Sequence, residues 1–234
     1  MYRITAISDT HGKHKQLNGF LPGGDILIHS GDISSMGHNH EITNFCKWFD
    51  GIDNYDLKVF IAGNHDYGFQ QRADEVMEIV NSYKTIDYLQ DDWIGFQKDD
   101  LQEIRIWGSP WQPEFYSWAF NLPRNGKELE TKWNEIPTDT DILITHGPAW
   151  GYVDTVIGRY ENSGHLGCEK LIDRITTINI PIHICGHIHT GYGTQTNGET
   201  RFINASILNE QYNFTQKPIT FQYNPSDKKN ITFL

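Results

Sequence analysis

Cysteine is scarce: only Cys46, Cys168 and Cys185 occur among 234 residues. The number is odd, the spacing is wide, and no C-x-x-C pair exists. Neither a disulfide framework nor a zinc–thiolate site is expected. Cys185 closes an apolar run and reads as a small buried hydrophobe. Long apolar stretches are missing as well. None approaches the roughly 20 residues needed to cross a bilayer, so no membrane partner is expected. The opening residues read as a strand and lack the apolar core of a signal peptide. A reducing cytoplasm is the expected location, and the glycosylation-like triplets at Asn204, Asn213 and Asn230 carry no weight.

Positive charge is also in short supply. Lys and Arg total 19 against 30 Asp and Glu, a formal net charge of -11. That disfavours an extended surface for nucleic-acid backbones. An acidic protein can still hold a phosphate locally where bound cations neutralise part of its charge. Low-complexity segments, charge blocks, linkers and fixed-period repeats are absent. With 38% hydrophobic and 21% charged residues, the chain reads as one globular domain over residues 1–234. Nothing in it bears on oligomeric state.

What is present is a series of short apolar runs, at residues 3–8, 25–29, 58–62, 141–145 and 180–185. Their length and β-branched content predict buried strands. Helix-like spacing of apolar residues predicts helices over 39–51, 73–83 and 167–178, with a weaker pattern over 126–133. A hairpin is expected over 93–97 and 103–107, and later strands over 201–205 and 218–223. The alternation near the start suggests βαβ units, and the whole a mixed α/β fold with more than one sheet.

Each of the five apolar runs is followed at once by metal-capable side chains. They are Asp9-Thr10-His11, Gly31-Asp32, Gly63-Asn64-His65-Asp66, His146-Gly147 and Gly186-His187-Ile188-His189. Ligands of open α/β sheets gather beyond the carboxyl ends of strands. In extended chain, residues i and i+2 point the same way, so Asp9 with His11, and His187 with His189, can each serve one site. Any one cluster alone is ordinary turn chemistry. The coincidence would have to repeat five times, in order, each time just past a strand.

As an ordered set, these motifs resemble the calcineurin-like metallophosphoesterase superfamily over residues 9–189. The resemblance implies a four-layer αββα sandwich with two mixed sheets flanked by helices. A narrower likeness, to the small metallophosphoesterase-domain-containing branch, rests on Gly108-Ser109-Pro110-Trp111, Phe120-Asn121-Leu122-Pro123, Thr145-His146-Gly147-Pro148, Gly164-His165-Leu166-Gly167-Cys168, Gly186–Gly193 and Ile203-Asn204-Ala205-Ser206. That branch is associated with cyclic nucleotide phosphodiesterase activity and nucleotide binding. Some of its members lack the first histidine of the GHxH motif, which this sequence keeps as His187.

The resemblance implies two divalent metals, manganese first, with iron, zinc, cobalt or nickel as alternatives. Asp9, His11, Asp32 and His189 would hold one. Asp32, Asn64, His146 and His187 would hold the other, with Asp32 shared. A hydroxide between the metals would attack the phosphorus of a cyclic nucleotide or other small phosphodiester. His65 would protonate the leaving group, and Asp66 would orient His65 or serve as a turn aspartate. Asn64, His65, Trp111 and His165 are the expected substrate-binding residues. A phosphomonoesterase, a nuclease, or a non-catalytic nucleotide-binding or partner-docking module are the alternatives. The crowd of Trp107, Trp111, Phe115, Tyr116, Trp118 and Phe120 reads as packing under a long loop more readily than as a base-stacking wall. His29 and His183 read as core histidines, and Asn204 as a support near the metals.

Overall fold

Side chains alternate across a strand, and the five runs are apolar at both odd and even positions. Such strands need cover on both faces. In a computed structural model, described for residues 1–156 and 164–234, a second sheet covers one face and helices cover the other. The strands are β1 (Tyr2–Ile7), β2 (Gly24–His29), β3 (Tyr55–Phe60), β4 (Asp87–Tyr88), β5 (Asp92–Phe96), β6 (Ile104–Ser109), β7 (Ile142–Thr145), β8 (Ile182–Cys185), β9 (Gly193–Thr196), β10 (Arg201–Asn204), β11 (Ile219–Tyr223) and β12 (Ile231–Phe233). The first sheet has the order β12-β11-β1-β2-β3-β4 and the second β9-β10-β8-β7-β6-β5. Each contains four consecutive parallel strands, β1 to β4 in the first and β6, β7, β8 and β10 in the second. Antiparallel neighbours complete both.

Register lines up the branched residues. Ile4 stands opposite Ile26, Ile28 opposite Val59, Ile142 opposite Ile106 and Ile184 opposite Ile203. These residues share one buried cluster between the sheets. The intervening positions Ile7, Leu27 and Phe60 turn the other way, onto helices α1 (Asn39–Asp50), α2 (Tyr67–Gln71) and α3 (Ala73–Asn81). On the far side Leu143, Cys185 and Phe202 meet α4 (Lys127–Asn134) and α5 (Glu169–Ile178). The result is the four-layer αββα sandwich. All three cysteines are free and buried. Among the described residues no helix is long and apolar enough to cross a membrane.

The expected elements form, with ends displaced by up to three residues, the largest shift being the start of β3 at Tyr55 instead of residue 58. The 93–97 and 103–107 segments pair as the antiparallel β5–β6 hairpin. The short β4, β9 and β12, and two small ribbons pairing Gln112–Pro113 with Asn121–Leu122 and Thr155–Val156 with Gly164–His165, were not foreseen. Segments of two to four residues carry too little periodicity to read.

The sheets are tied together at the carboxyl ends of their parallel strands. Ser8, just after β1, bridges Ser206, just after β10. The Ile207 N–H donates to the Ser8 carbonyl at 3.0 Å. The loops that leave these strand ends therefore meet at one place.

Candidate metal centre and active site

Extended-chain alternation does not bring the paired residues together. Asp9 (φ 53°), His11 (φ 42°), Asp32 (φ 53°) and His187 (φ 66°) all have left-handed backbone. The expected i, i+2 geometry is thus replaced by sharp turns immediately past the strands. Such a conformation costs a non-glycine residue about 1 kcal/mol or more and persists where its surroundings fix it. Here neighbouring loops do so: the Asp9 N–H donates to Gly31 O, and the His11 N–H to Asp32 O, each at 3.0 Å. Two glycines are needed for close approach. A methyl group at Gly63 would collide with the Asp32 carboxylate, and one at Gly186 with that of Asp9.

The turns gather Asp9, His11, Asp32, Asn64, His146, His187 and His189 at the top of the sandwich. Three overlapping groups present ligand atoms within 4.8 Å of one another: Asp9, His11 and His189; Asp9, Asp32 and His146; and His11, Asp32 and His65. A single oxygen of Asp32, Oδ2, faces His11 Nε2 at 3.6 Å and His146 Nε2 at 3.4 Å. Its other oxygen accepts the His65 backbone N–H at 2.8 Å. Asp9 Oδ1 stands 3.4 Å from His189 Nε2. The Asp9 carboxylate also accepts the His187 backbone N–H. The His187 side chain packs edge-on to His146, with ring centroids 5.2 Å apart.

Proton accounting shows what this arrangement lacks. His146 Nδ1 donates to the Ser30 carbonyl at 2.9 Å, and His189 Nδ1 to the Asn209 carbonyl at 3.0 Å. In the neutral ring, the state that binds a metal, a carbonyl partner on one nitrogen leaves the other as a lone pair. His146 Nε2 then meets two further acceptors, Asn64 Oδ1 at 2.9 Å and Asp32 Oδ2. His11 is 6% exposed, and neither of its ring nitrogens has a hydrogen-bond partner. Acceptors that converge without donors are what a cation satisfies. Oxygen and imidazole donors without thiolate suit first-row divalent ions.

Without a bound cation, protons on the imidazoles stand in for the missing positive charge. Burial pulls the His146 and His189 imidazoles down, but Asp32 and Asp9 outweigh it and push both up to about 9. Burial would raise the Asp9 and Asp32 carboxyls, yet His189 and His146 hold them well below the usual carboxylate range. Burial dominates at His11 and His187, which fall to about 4 and about 3. Two buried carboxylates thus draw positive charge onto whichever neighbour can carry it.

Residues 2–191 match the family model described as calcineurin-like phosphoesterase. The chain belongs to that family. Human metallophosphoesterase domain-containing protein 1 is 37% identical over 93% of this chain and 69% of its own length. A UPF0046 protein of Caenorhabditis elegans is 34% identical over 94% of this chain and 59% of its own. The fold aligns with phosphopantetheinyl hydrolase (PptH) of Mycobacterium tuberculosis at TM-score 0.57, over 89% of this chain and 90% of that one, at 15% identity. This calcineurin-like phosphoesterase is accordingly a metal-dependent phosphoesterase, and its Asp/His cluster offers overlapping groups that could hold metal ions.

Around the cluster, the phosphoesterase holds its ligand loops with groups that never face the cluster. Asp66 is fully buried and accepts N–H bonds from Gly63 (2.8 Å), Ile33 (3.1 Å) and Ser34 (2.9 Å). It therefore fastens the Asp32 loop to the Asn64 loop and is hydrogen-bonded to neither ring nitrogen of His65. Burial and the Asp32 charge push its carboxyl up to about 7 against those donors. Asn204 donates to the carbonyls of Val153 (3.1 Å) and Ile188 (2.8 Å), with Gly186 at 3.3 Å. Its Oδ1 accepts the Ser206 N–H at 3.1 Å, and the Ser206 hydroxyl lies 2.8 Å from both that oxygen and Asp9 Oδ2. Behind the loops, His29 bonds Thr10 at 3.0 Å and His183 bonds Thr145 at 2.7 Å.

His65 lies partly exposed at the edge of the cluster. Its Nδ1 donates to the Ser35 carbonyl at 2.8 Å, and Trp118 stacks on its ring at 4.1 Å. That leaves Nε2 as the open nitrogen. A cavity of about 450 Å³ extends from the Asp/His cluster, lined among others by Asn64, His65, Gln112, Phe115, Leu166 and Tyr212.

Trp111 and His165, expected at the substrate, are not among the residues lining that cavity. Trp111 donates its Nε1–H to Asp91 at 2.8 Å and packs on Phe120 beneath the surface. His165 bonds Asp154 at 2.6 Å and borders a separate shallow hollow with Trp150. Of the aromatic crowd, Trp107 and Phe120 are core, while Phe115 reaches the cavity with its ring edge-on to His187. Tyr212, which packs against His11 and His189, had no local signal in the sequence. Gln112 had one: it directly follows the GSPW motif.

Proposed function

We propose that this phosphoesterase is a phosphodiesterase that hydrolyses a cyclic nucleotide or another small phosphodiester. In this reading Asp9, His11, Asp32 and His189 hold one divalent cation, and Asp32, Asn64, His146 and His187 hold a second, manganese being the first choice. Such cations, when bound, supply Lewis acidity and make hydroxide available near neutral pH.

The chain's own groups do the rest. The backbone carbonyls of Ser30 and Asn209 keep His146 and His189 with their Nε2 lone pairs turned inward. Asn64 and His65 border the cavity where the ester would lie. Protonated His65 donates from Nε2 to the departing oxygen, its ring held by Ser35 and Trp118. The apolar core common to both sheets supports reading residues 1–234 as one domain.

The observation that carries the diester reading is the cavity joined to the cluster. At about 450 Å³ it falls in the range of small-molecule sites and gives room for an organic substituent. The net charge of -11 argues against long nucleic-acid polymers as substrates. A panel with manganese-loaded protein tests the reading. It compares bis-p-nitrophenyl phosphate, p-nitrophenyl phosphate, 3′,5′- and 2′,3′-cyclic nucleotides and single-stranded DNA. Higher kcat/KM on the diesters is expected. Faster turnover of p-nitrophenyl phosphate would make the protein a phosphomonoesterase, and a faster rate on DNA a nuclease. Metal uptake with no turnover at all would make it a binding module.

A further inference from the structure

Gln112 lies on the cavity wall and is 1% exposed, and its Oε1 has no hydrogen-bond partner. Its neighbours settle which end of the amide is left over. Asn121 Nδ2 donates to the carbonyls of Phe115 at 3.1 Å and Tyr116 at 2.9 Å. Both amide hydrogens of Asn121 are thereby used, and its Oδ1 is an acceptor. Gln112 Nε2 points to that oxygen at 3.4 Å. A flipped Gln112 would set two oxygens against each other. The unpaired atom is therefore an acceptor. A Cβ built on Gly147 would stand 3.6 Å from it, which puts it beside the residue that follows His146. A buried acceptor without a donor is costly, and such exceptions mark places where a ligand supplies the partner.

We propose that Gln112 is a specificity residue whose Oε1 accepts a hydrogen bond from an N–H on a planar heterocycle carried by the phosphoester. The proposal rests on the phosphodiesterase reading above and names the class of its organic group. Phe115, Pro148, Val156 and Leu166 offer that ring apolar surface within the same cavity. Arg124, also on the wall, is already engaged by the carbonyls of Leu166 (2.6 Å) and Gly167 (2.7 Å) and by the Glu169 carboxylate (2.8 Å). Glu114 and Glu210 complete a lining that favours an uncharged group. A nucleobase with an amino or imino edge has this chemistry.

The test is calorimetric binding to the manganese-loaded protein. Adenosine and guanosine 5′-monophosphates carry N–H donors on the base, purine riboside 5′-monophosphate does not, and inorganic phosphate reports the metal cluster alone. Wild type should bind one of the donor-bearing nucleotides about tenfold or more tighter than purine riboside 5′-monophosphate. Gln112→Met should lose that preference and bind inorganic phosphate as wild type does. Two results overturn the proposal: a wild type without the preference, or a Gln112→Met protein that keeps it. Should Gln112→Met fail to fold, the wild-type comparison decides alone. Failure of the phosphodiesterase reading shows separately, as absent turnover of bis-p-nitrophenyl phosphate by wild type, and leaves the binding comparison intact.

Discussion

The strand ends of the first sheet bring two carboxylates, one amide and two imidazoles to the cluster: Asp9, His11, Asp32, Asn64 and His65. Those of the second sheet bring three imidazoles, His146, His187 and His189, and no carboxylate. The first sheet therefore supplies the negative charge that draws cations. The second supplies imidazole nitrogens, free to ligate once a cation replaces their proton, whose value depends on orientation. The supports differ accordingly. Asp66 clamps two loops of the first sheet to each other through three N–H bonds. In the second sheet, Asn204 holds the carbonyls on either side of His187 and links, through Ser206, across to Asp9. Charge is needed in one half and aim in the other.

Removing charge should do the most damage. Asp32→Ala takes away the oxygen that faces both His11 and His146. We expect most metal to be lost at both positions and kcat/KM to fall on the order of 10³-fold. His146→Ala, which removes aim from the second half, should cost less metal. Elemental analysis of the two proteins side by side checks this, and equal losses would dissolve the contrast between the sheets.

Next in size is Asn204→Ala, which leaves every proposed ligand in place but frees the loop carrying His187 and His189. Loss of an outer support typically lowers metal affinity about 10- to 100-fold. Competition with a chelator measures it; unchanged affinity would reduce Asn204 to a folding residue. His65→Ala should leave metal content near wild type and cut turnover of poor leaving groups more than that of nitrophenolate, which departs without a proton. Equal losses on both substrates would remove His65 from the acid role.

The smallest effect concerns the two buried histidines behind the loops, His29 and His183. Burial pulls both down to about 3. An unfolded histidine takes up its proton near pH 6.5. Between those values the unfolded state binds more protons, so stability falls as pH falls. The slope is up to about 1.4 kcal/mol per pH unit for each histidine. Denaturant unfolding at pH 7, 6 and 5 should show the acid limb flatten in His29→Gln or His183→Gln. An unchanged slope would mean that other groups carry it.

Much of this protein is legible from residue order. Apolar runs ending in Asp, Asn or His mark both the buried strands and the edge where the cluster forms, because an open sheet presents its strand ends together. Periodicity locates α1, α3 and α5 because each buries one face. Trp111 and His165 are not among the residues lining the cavity, because motif membership does not say which way a side chain turns. Trp111 found Asp91, and His165 found Asp154. Asp66 sits beside a proposed acid in sequence yet holds a loop some thirty residues away.

The sequence by itself determined which metal-capable side chains are present, their order and their attachment to strand ends, since these follow from composition and short-range pattern. Only the tertiary structure decided how they converge. Left-handed turns at Asp9, His11, Asp32 and His187 exist because other loops hold them. The decisive bonds join residues as distant as Asp9 and Ser206. The unpaired acceptor of Gln112 likewise appears only once Asn121 has spent its own hydrogens on Phe115 and Tyr116. Backbone strain and hydrogen-bond accounting are properties of the assembled neighbourhood, and no local run of residues encodes them.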